Sequence, residues 1–344
     1  MRLASIAVAI CLASCLAPAP ACAQAQESAP FYRSKTIRIV ISTGVAGGYA
    51  EYARVIAEHM GRHIAGNPSF IVQSMPGAGG MQAANYLFTQ ALQDGTTIGI
   101  VHSSAPLAPL WGSKGVRFDT LKFNWLGSLD RVDGMCISWN ASPIKTWADM
   151  LSKEMTVGSS GAGSQMETYP AILNKLFGTK IKVIAGYKDG VAVYIAMERG
   201  ELDGYCSFTW AAIKSARPNW LTDKQINVIL QLSMAKHPEL PDVPLVADLA
   251  RDEASRQIFT LAFGAQKMGR PVATTPGVPP ERLAALRQAF DAAMRDPSFQ
   301  DDAKRNGLEA EGPITGADVD DMLRDIYATP RTIVQRYEAI RNER

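Results

Sequence analysis

Short β-branched runs alternate along the chain with segments whose apolar residues recur every three or four positions. Thr36–Ile41 (TIRIVI) predicts a buried strand. Residues 52–64 then place Ala53, Ile56, Ala57, Met60 and Ile64 on one helical stripe. Residues 70–72 predict a second strand and 82–92 a second helix, and Asp94-Gly95 turns into a strand over 97–101. This order predicts a parallel sheet covered by helices. Near Gly134 the pattern starts again, with strands at 135–139, 155–157, 181–184, 202–206 and 227–232 and helices at 146–152, 166–177 and 191–199. Two α/β units in tandem follow. The apolar run 258–263 is expected to cross back towards the first unit. Pro279-Pro280-Glu281 opens a helix with Leu283, Leu286, Phe290 and Met294 on one stripe. Residues 319–340 read as a helical tail with a charged, solvated end.

Length supports the same division, because 344 residues exceed one ordinary core. The formal charge is +2 with no clustered Lys and Arg, which excludes a nucleic-acid footprint. Arg2, the uncharged apolar residues 3–17 and Ala21-Cys22-Ala23 predict a cleaved signal peptide over residues 1–23 and a periplasmic location. The apolar run stops at Pro18 and Pro20, short of the ~20 residues that span a bilayer. Leu12-Ala13-Ser14-Cys15 offers an alternative, a lipoprotein box with the lipid on Cys15. Cys136 and Cys206 remain after cleavage, as one bridge or as two buried thiols. No CxxC or Cys/His cluster points to a metal, and no cofactor is expected.

Ligands of open α/β sheets bind where strand ends meet helix N-termini. Residues 44–49, 76–80, 102–106 and 158–164 are glycine-rich or polar loops in that position, suited to an anion. A nucleotide is excluded. Gly77-Ala78-Gly79 and Gly161-Ala162-Gly163 lack the third glycine of a dinucleotide fingerprint, and no loop carries a phosphate-binding lysine. Gly158-Ser159-Ser160-Gly161-Ala162 nearly forms a nucleophile elbow, with Asp203 and His237 following in hydrolase order. His237 is expected in an exposed polar turn, which counts against a triad. His59 and His63 read as an exposed helix face. His102 either donates to a carboxylate or is structural.

Taken in order, several landmarks resemble the periplasmic receptors of tripartite tricarboxylate transporters, often called Bug receptors. They are Ile37–Ile41 followed by Gly47-Gly48, Pro76-Gly77-Ala78-Gly79-Gly80, Asp94-Gly95, and Gly158 through Ser164. Gly186-Tyr187-Lys188, Leu240-Pro241-Asp242-Val243-Pro244 and Gly277-Val278-Pro279-Pro280-Glu281 complete the set. The resemblance covers residues 32 to the C-terminal helices. It implies an α/β, two-lobed periplasmic-binding-protein fold of type II, with two Rossmann-like lobes joined by a two-strand hinge. Lobe I would be 32–126 plus 259–344, and lobe II 127–258. It further implies a monomeric, non-enzymatic receptor that closes on a small organic carboxylate and delivers it to membrane permease subunits. A sensing receptor with the same fold and a secreted serine hydrolase are the alternatives.

By position, the grip implied by the resemblance is Ala46, Gly47, Gly48, Tyr49, Ala78, Gly79, Ser103 and Ser104 from one lobe. Ser160, Gly163, Ser164, Tyr187 and Ser207 face them from the other. Amides on two hinged surfaces suit a receptor that must release its cargo better than a buried arginine clamp. This chain departs from the family pattern twice. Val45-Ala46 lack the usual loop proline and Glu51 stands for an aspartate; Cys206-Ser207-Phe208 replaces a Phe-Asp-Asn strand end. Tyr49, Tyr187 and Phe208 are expected to wall a pocket for an aromatic or bulky acid.

Overall fold

A computed structural model of the chain describes residues 31–45, 48–160, 164–187, 190–310 and 314–342. The expected signal peptide, and Ala46, Gly47 and Gly163, lie outside the described residues.

The first unit opens with β1 (Thr36–Ile41), α1 (Gly48–Met60), β2 (Ser69–Ser74), α2 (Met81–Thr89), β3 (Thr97–Ile100) and β4 (Asn124–Ser128). The second comprises β5 (Gly134–Trp139), α3 (Trp147–Ser152), β6 (Glu154–Ser159), α4 (Gln165–Phe177), β7 (Lys180–Ala185), α5 (Gly190–Glu198), β8 (Gly204–Thr209), α6 (Trp210–Ala216), α7 (Pro218–Thr222) and β9 (Ile226–Leu232). The chain ends with α8 (Glu253–Phe263), β10 (Pro271–Thr274), α9 (Pro280–Arg295), α10 (Pro297–Arg305), β11 (Ile314–Thr315), α11 (Gly316–Tyr327) and α12 (Arg331–Asn342).

Two sheets result, in the orders β11-β4-β10-β3-β1-β2 and β7-β6-β8-β5-β9. Both are mixed, which corrects the all-parallel expectation. β1 pairs in parallel with β2 and β3, and β6 with β7 and β8. β10, arriving from the second unit, inserts antiparallel between β3 and β4. β5, the strand entering the second unit, runs antiparallel to β8 and β9. The crossing strands enter each sheet from the opposite direction to its βαβ strands, so parallel pairing is closed to them. The return strand is therefore 271–274; residues 258–263 form the last turns of α8, whose Ile258, Phe259, Leu261 and Phe263 are buried.

Two segments join the units and pair with each other. The Leu129 amide donates to the Arg270 carbonyl (3.1 Å), Gly269 to Asp130 (3.1 Å) and Val132 to Gln266 (2.8 Å). This is the two-strand hinge. Outside it, Lys214 on α6 reaches Glu309, beyond α10, at 3.1 Å. The C-terminal α12 packs on α4 and α8 rather than standing free in solvent.

A disulfide joins Cys136 on β5 to Cys206 on β8, which face each other in register, so the bridge replaces the alternative of two thiols. His59 is buried at 2% exposure, which corrects the exposed-face reading. Its Nε2 meets Asp302 Oδ2 at 2.6 Å and its Nδ1 faces Arg62 and Ser298, tying α1 to α10. His63 similarly meets Asp296 at 3.1 Å. These histidines, four residues apart, lie on the face that α10 covers, contacts 243 and 233 residues away that local pattern cannot show.

Candidate functional site

β1 and β3 end side by side, so the loops after them meet at the hinge-facing edge of the first sheet. α1 starts there, and its second residue, Tyr49, holds the corner. The Tyr49 hydroxyl donates to the Gly269 carbonyl (3.1 Å) and accepts from the Ser103 amide (3.2 Å). Its ring stacks on His102 with centroids 5.7 Å apart and planes at 12°. One phenol therefore links the first helix, the loop after β3 and the hinge. Burial raises the Tyr49 pKa, so it remains a neutral donor.

His102 Nδ1 accepts from the Ser104 amide (3.3 Å) and pairs with the Ser104 hydroxyl (2.8 Å). An amide hydrogen at Nδ1 requires the Nε2–H tautomer of a neutral ring. Burial and then Arg270 hold its pKa below the usual value, which agrees. Gly80 approaches from the loop before α2, at φ +92°; a Cβ there would come within 2.5 Å of the His102 Cβ, so only glycine fits.

Across the cleft, Ser164 caps α4 without a side-chain bond to the helix amides. Its hydroxyl instead meets Ser159 Oγ at 3.2 Å. Among the described residues no side chain caps the first turn of α4, whose positive end faces this side of the cleft. Between this helix end and Tyr49 lies a cavity of about 450 Å³. Tyr49, His102, Ser103 and Ser104 form one wall; Ser164, Gln165, Thr168 and Tyr169 form the facing one. The hinge contributes Gln266 and Arg270, and the far end is Trp111 with Tyr337 and Arg341 of α12.

Two arginines therefore line the cavity, and no acidic side chain does among the described residues. Arg270 lies over the Tyr52 ring at 4.3 Å and the Tyr49 ring at 5.2 Å, and pairs through Nη1 with Asp130 Oδ2. Asp130 is 3% exposed, and burial outweighs its arginine partner to push its carboxyl up to about 7. Asp130 Oδ1 and Arg270 Nε are buried without a hydrogen-bond partner among the described residues. Arg270 thus supplies field to the cavity floor from a guanidinium held by Asp130 and two tyrosine rings.

Of the residues implied by the resemblance, Tyr49, Ser103, Ser104 and Ser164 are on this cavity. The Ser103 amide is already taken by Tyr49, which leaves its hydroxyl for a ligand. Gly48 abuts the Arg270 guanidinium; a Cβ there would lie 2.6 Å from Nη2. Ala78 lines a separate cavity of about 380 Å³ with Met81 and Tyr86, and Gly79 beside it is left-handed at φ +63°. Ser160 is exposed, and the Tyr187 amide donates to the Ser159 carbonyl. Ser207 is the extra residue of a bulge opposite Met135 and Cys136, at φ +112°, a strained conformation for serine. None of these six, Gly48 included, lines the larger cavity.

Phe208 corrects the expected aromatic wall. It is buried in the second unit, stacked on Tyr205 (4.9 Å) and Tyr194 (5.5 Å). Aromatic rings do wall the cavity, but they are Tyr49, His102, Trp111, Tyr169 and Tyr337. Glu51 points away and pairs with Arg54 at 3.6 Å. The hydrolase constellation does not assemble either. Asp203 binds Thr156 and Ser142, and His237 Nδ1 accepts from the Glu239 amide. His237 is half-buried against Trp210 rather than exposed.

The family model described as "Tripartite tricarboxylate transporter family receptor" matches residues 52–337. The chain belongs to that family. A solved TctC solute-binding protein from Polaromonas, without ligand, superposes with a TM-score of 0.68 at 16% identity, over 89% of this chain and 99% of that one. An R. palustris protein solved with adipate gives 0.62 at 18% identity, over 88% and 97%. MatC from Rhodopseudomonas palustris, solved with malate, gives 0.59 at 17% identity, over 90% and 99%. No curated protein matches the chain in sequence. The receptor has the two-lobed α/β fold of these binding proteins, and no helix among the described residues is long and apolar enough to cross a membrane.

Proposed function

We propose that this receptor is exported to the periplasm, captures a small organic carboxylate between two lobes, and presents it to the membrane permease of a tripartite transporter. The lobes are the two units on either side of the paired segments 129–132 and 266–270. The observation that carries the reading is the cavity wall. Hydroxyls, a helix N-terminus and two guanidiniums from both units face one space without an opposing carboxylate among the described residues. Such a wall suits an anion, and closure traps it because each side holds only part of the donor set. The volume fits a metabolite-sized ligand. Solved family folds with adipate and with malate support the ligand class. Ser103, Ser104 and Ser164 form the grip in this reading, with Tyr49 holding the Ser103 loop in place and Gly48, Ala78, Gly79, Ser160, Tyr187 and Ser207 brought closer on closure. The ring-lined walls suit an acid with a bulky or aromatic body.

Thermal unfolding of the mature protein against mono-, di- and tricarboxylates tests the proposal. A ligand at a hundred times its Kd adds about 2.7 kcal/mol, a rise of several degrees. Silence across the whole panel would overturn it. N-terminal sequencing of the periplasmic fraction tests export, with cleavage after Ala23 expected; a lipidated Cys15 would overturn that site.

A further inference from the structure

The strands that end the two sheets are β11, β2, β7 and β9, and all but β2 are guarded. β11 is only Ile314–Thr315. β7 presents the exposed Lys180 and Lys182. β9 is covered where the Gln231 amide donates to the Pro244 carbonyl at 2.8 Å and Gln231 bridges to Leu245. Short length, lysines and a covering segment are the usual defences of an edge against pairing with another chain. β2 (SFIVQS) has none of them. It carries no charge and no proline, pairs with β1 without a bulge, and leaves Ile71 50% and Val72 38% exposed on its two faces. The Ser69 amide donates to the Lys35 carbonyl (3.0 Å) and the Met75 amide to the Ile41 carbonyl (2.8 Å), so residues 69, 71, 73 and 75 point inward. In a parallel pair the residues between them point their amides and carbonyls the other way. Phe70, Val72 and Ser74 therefore offer backbone donors and acceptors along an edge that no further strand covers among the described residues.

This edge runs into the cavity of about 380 Å³, which shares no lining residue with the larger one. Met75, directly after β2, lines it together with Met81 and Tyr86 of α2 and the exposed Lys114 and Arg117. Arg38, in register with Ile71 across the β1–β2 pair, donates to the Tyr86 hydroxyl at 3.4 Å. Among the described residues no acidic side chain lines this cavity, and Arg38, Lys114 and Arg117 have no carboxylate partner. An open apolar strand edge recruits extended chain, and unmatched cations at its end select chain that is acidic. We propose that the β2 edge is a docking site for an extended acidic segment of a partner protein. The segment adds a strand to the six-stranded sheet and sets its carboxylates against Arg38, Lys114 and Arg117. A second copy of this chain is the poorer occupant. Antiparallel pairing of two β2 edges would turn the exposed Lys35, at the other end of the β1–β2 pair, towards Lys114 and Arg117 of its neighbour.

The test is fluorescence anisotropy of two labelled peptides, EEVTVTVEE and its basic twin KKVTVTVKK, titrated with the mature protein. The acidic peptide should bind about tenfold or more tightly than the basic one, and salt raised from about 0.05 to about 0.5 M should close most of that gap by screening exposed charges. Amide hydrogen exchange at Phe70, Val72 and Ser74 should slow in the complex. Val72→Pro removes an outward amide and no inward one, so it should weaken the acidic peptide by about tenfold. Lys114→Glu combined with Arg117→Glu leaves the strand intact, should reverse the preference between the peptides, and guards against a misfolded proline variant. Equal affinity for the two peptides, or a charge-reversed variant that keeps the wild-type preference, overturns the proposal. Wild type that binds neither peptide overturns it as well, as does sedimentation showing a dimer that Val72→Pro dissolves.

Discussion

Replacing Tyr49 by phenylalanine isolates a single oxygen. The ring, its stack on His102 and its contact with Arg270 remain, while two hydrogen bonds disappear. The Ser103 amide and the Gly269 carbonyl, 3.2 and 3.1 Å from the hydroxyl, lose their partner together. Each such bond has a net value of about 0.5–1.5 kcal/mol, so Tyr49→Phe should cost about 1–3 kcal/mol. Unfolding entropy near 2.1 cal/mol/K per residue over roughly 300 described residues gives about 0.6 kcal/mol/K. Differential scanning calorimetry should therefore find the melting temperature lowered by about 2–5 °C. Ligand affinity should hold or improve, because the Ser103 amide becomes free to reach the cavity. Tyr49→Ala, which also removes the ring, should cost about 3–5 kcal/mol and lower affinity. A Tyr49→Phe melting point within 1 °C of wild type would refute the three-way tie. A loss of affinity as large as that of Tyr49→Ala would show the hydroxyl to be a direct ligand contact instead.

Three further outcomes are expected. Asp130 has a folded pKa of about 7, above its unfolded value near 4, so the folded chain binds the extra proton between these limits. Its contribution is full at low pH and lost as pH rises through 7, by about 2 kcal/mol between pH 5.5 and 8; melting curves of wild type and Asp130→Asn should diverge over that range, and parallel curves would contradict the assignment. His102, held below the usual histidine pKa, contributes stability above pH 6.5 that is lost as pH falls through its lower folded value. Its ring proton shifts in NMR should stay those of neutral Nε2–H at pH 6.5, and a half-protonated ring there would oppose the tautomer. Reducing Cys136–Cys206, which closes a loop of sequence separation 70, should lower stability by about 4 kcal/mol in a denaturant titration; a change under 1 kcal/mol would count against the bridge.

Local pattern carried the strands, because β1, β3, β6 and β9 are buried runs whose apolar residues leave no other reading. It placed glycine- and serine-rich loops after β1, β3 and β6, of which Tyr49, Ser103, Ser104 and Ser164 reach one cavity. The return strand β10 escaped notice because Pro271–Thr274 is four residues long and takes its meaning from β3 and β4. The tail read as one helix is two, broken where Pro330 cannot continue α11. Arg270 and Arg341 escaped for a tertiary reason. Each looks like an ordinary surface arginine until chain 140 or 230 residues away brings Asp130 or Trp111 against it. A charged helix end is a sound default for solvent, and here α4 and α8 overrule it by covering α12.

That last packing bears on how the receptor can be handled. Since α12 supplies Tyr337 and Arg341 to the cavity, the carboxyl end of the chain is working surface rather than a spare handle. A purification tag, fluorophore or fusion partner joined directly after α12 sits beside the cavity, and a chain cut at Pro330 loses one end of it. Attachment ahead of β1 keeps such additions away from the helix that lines it.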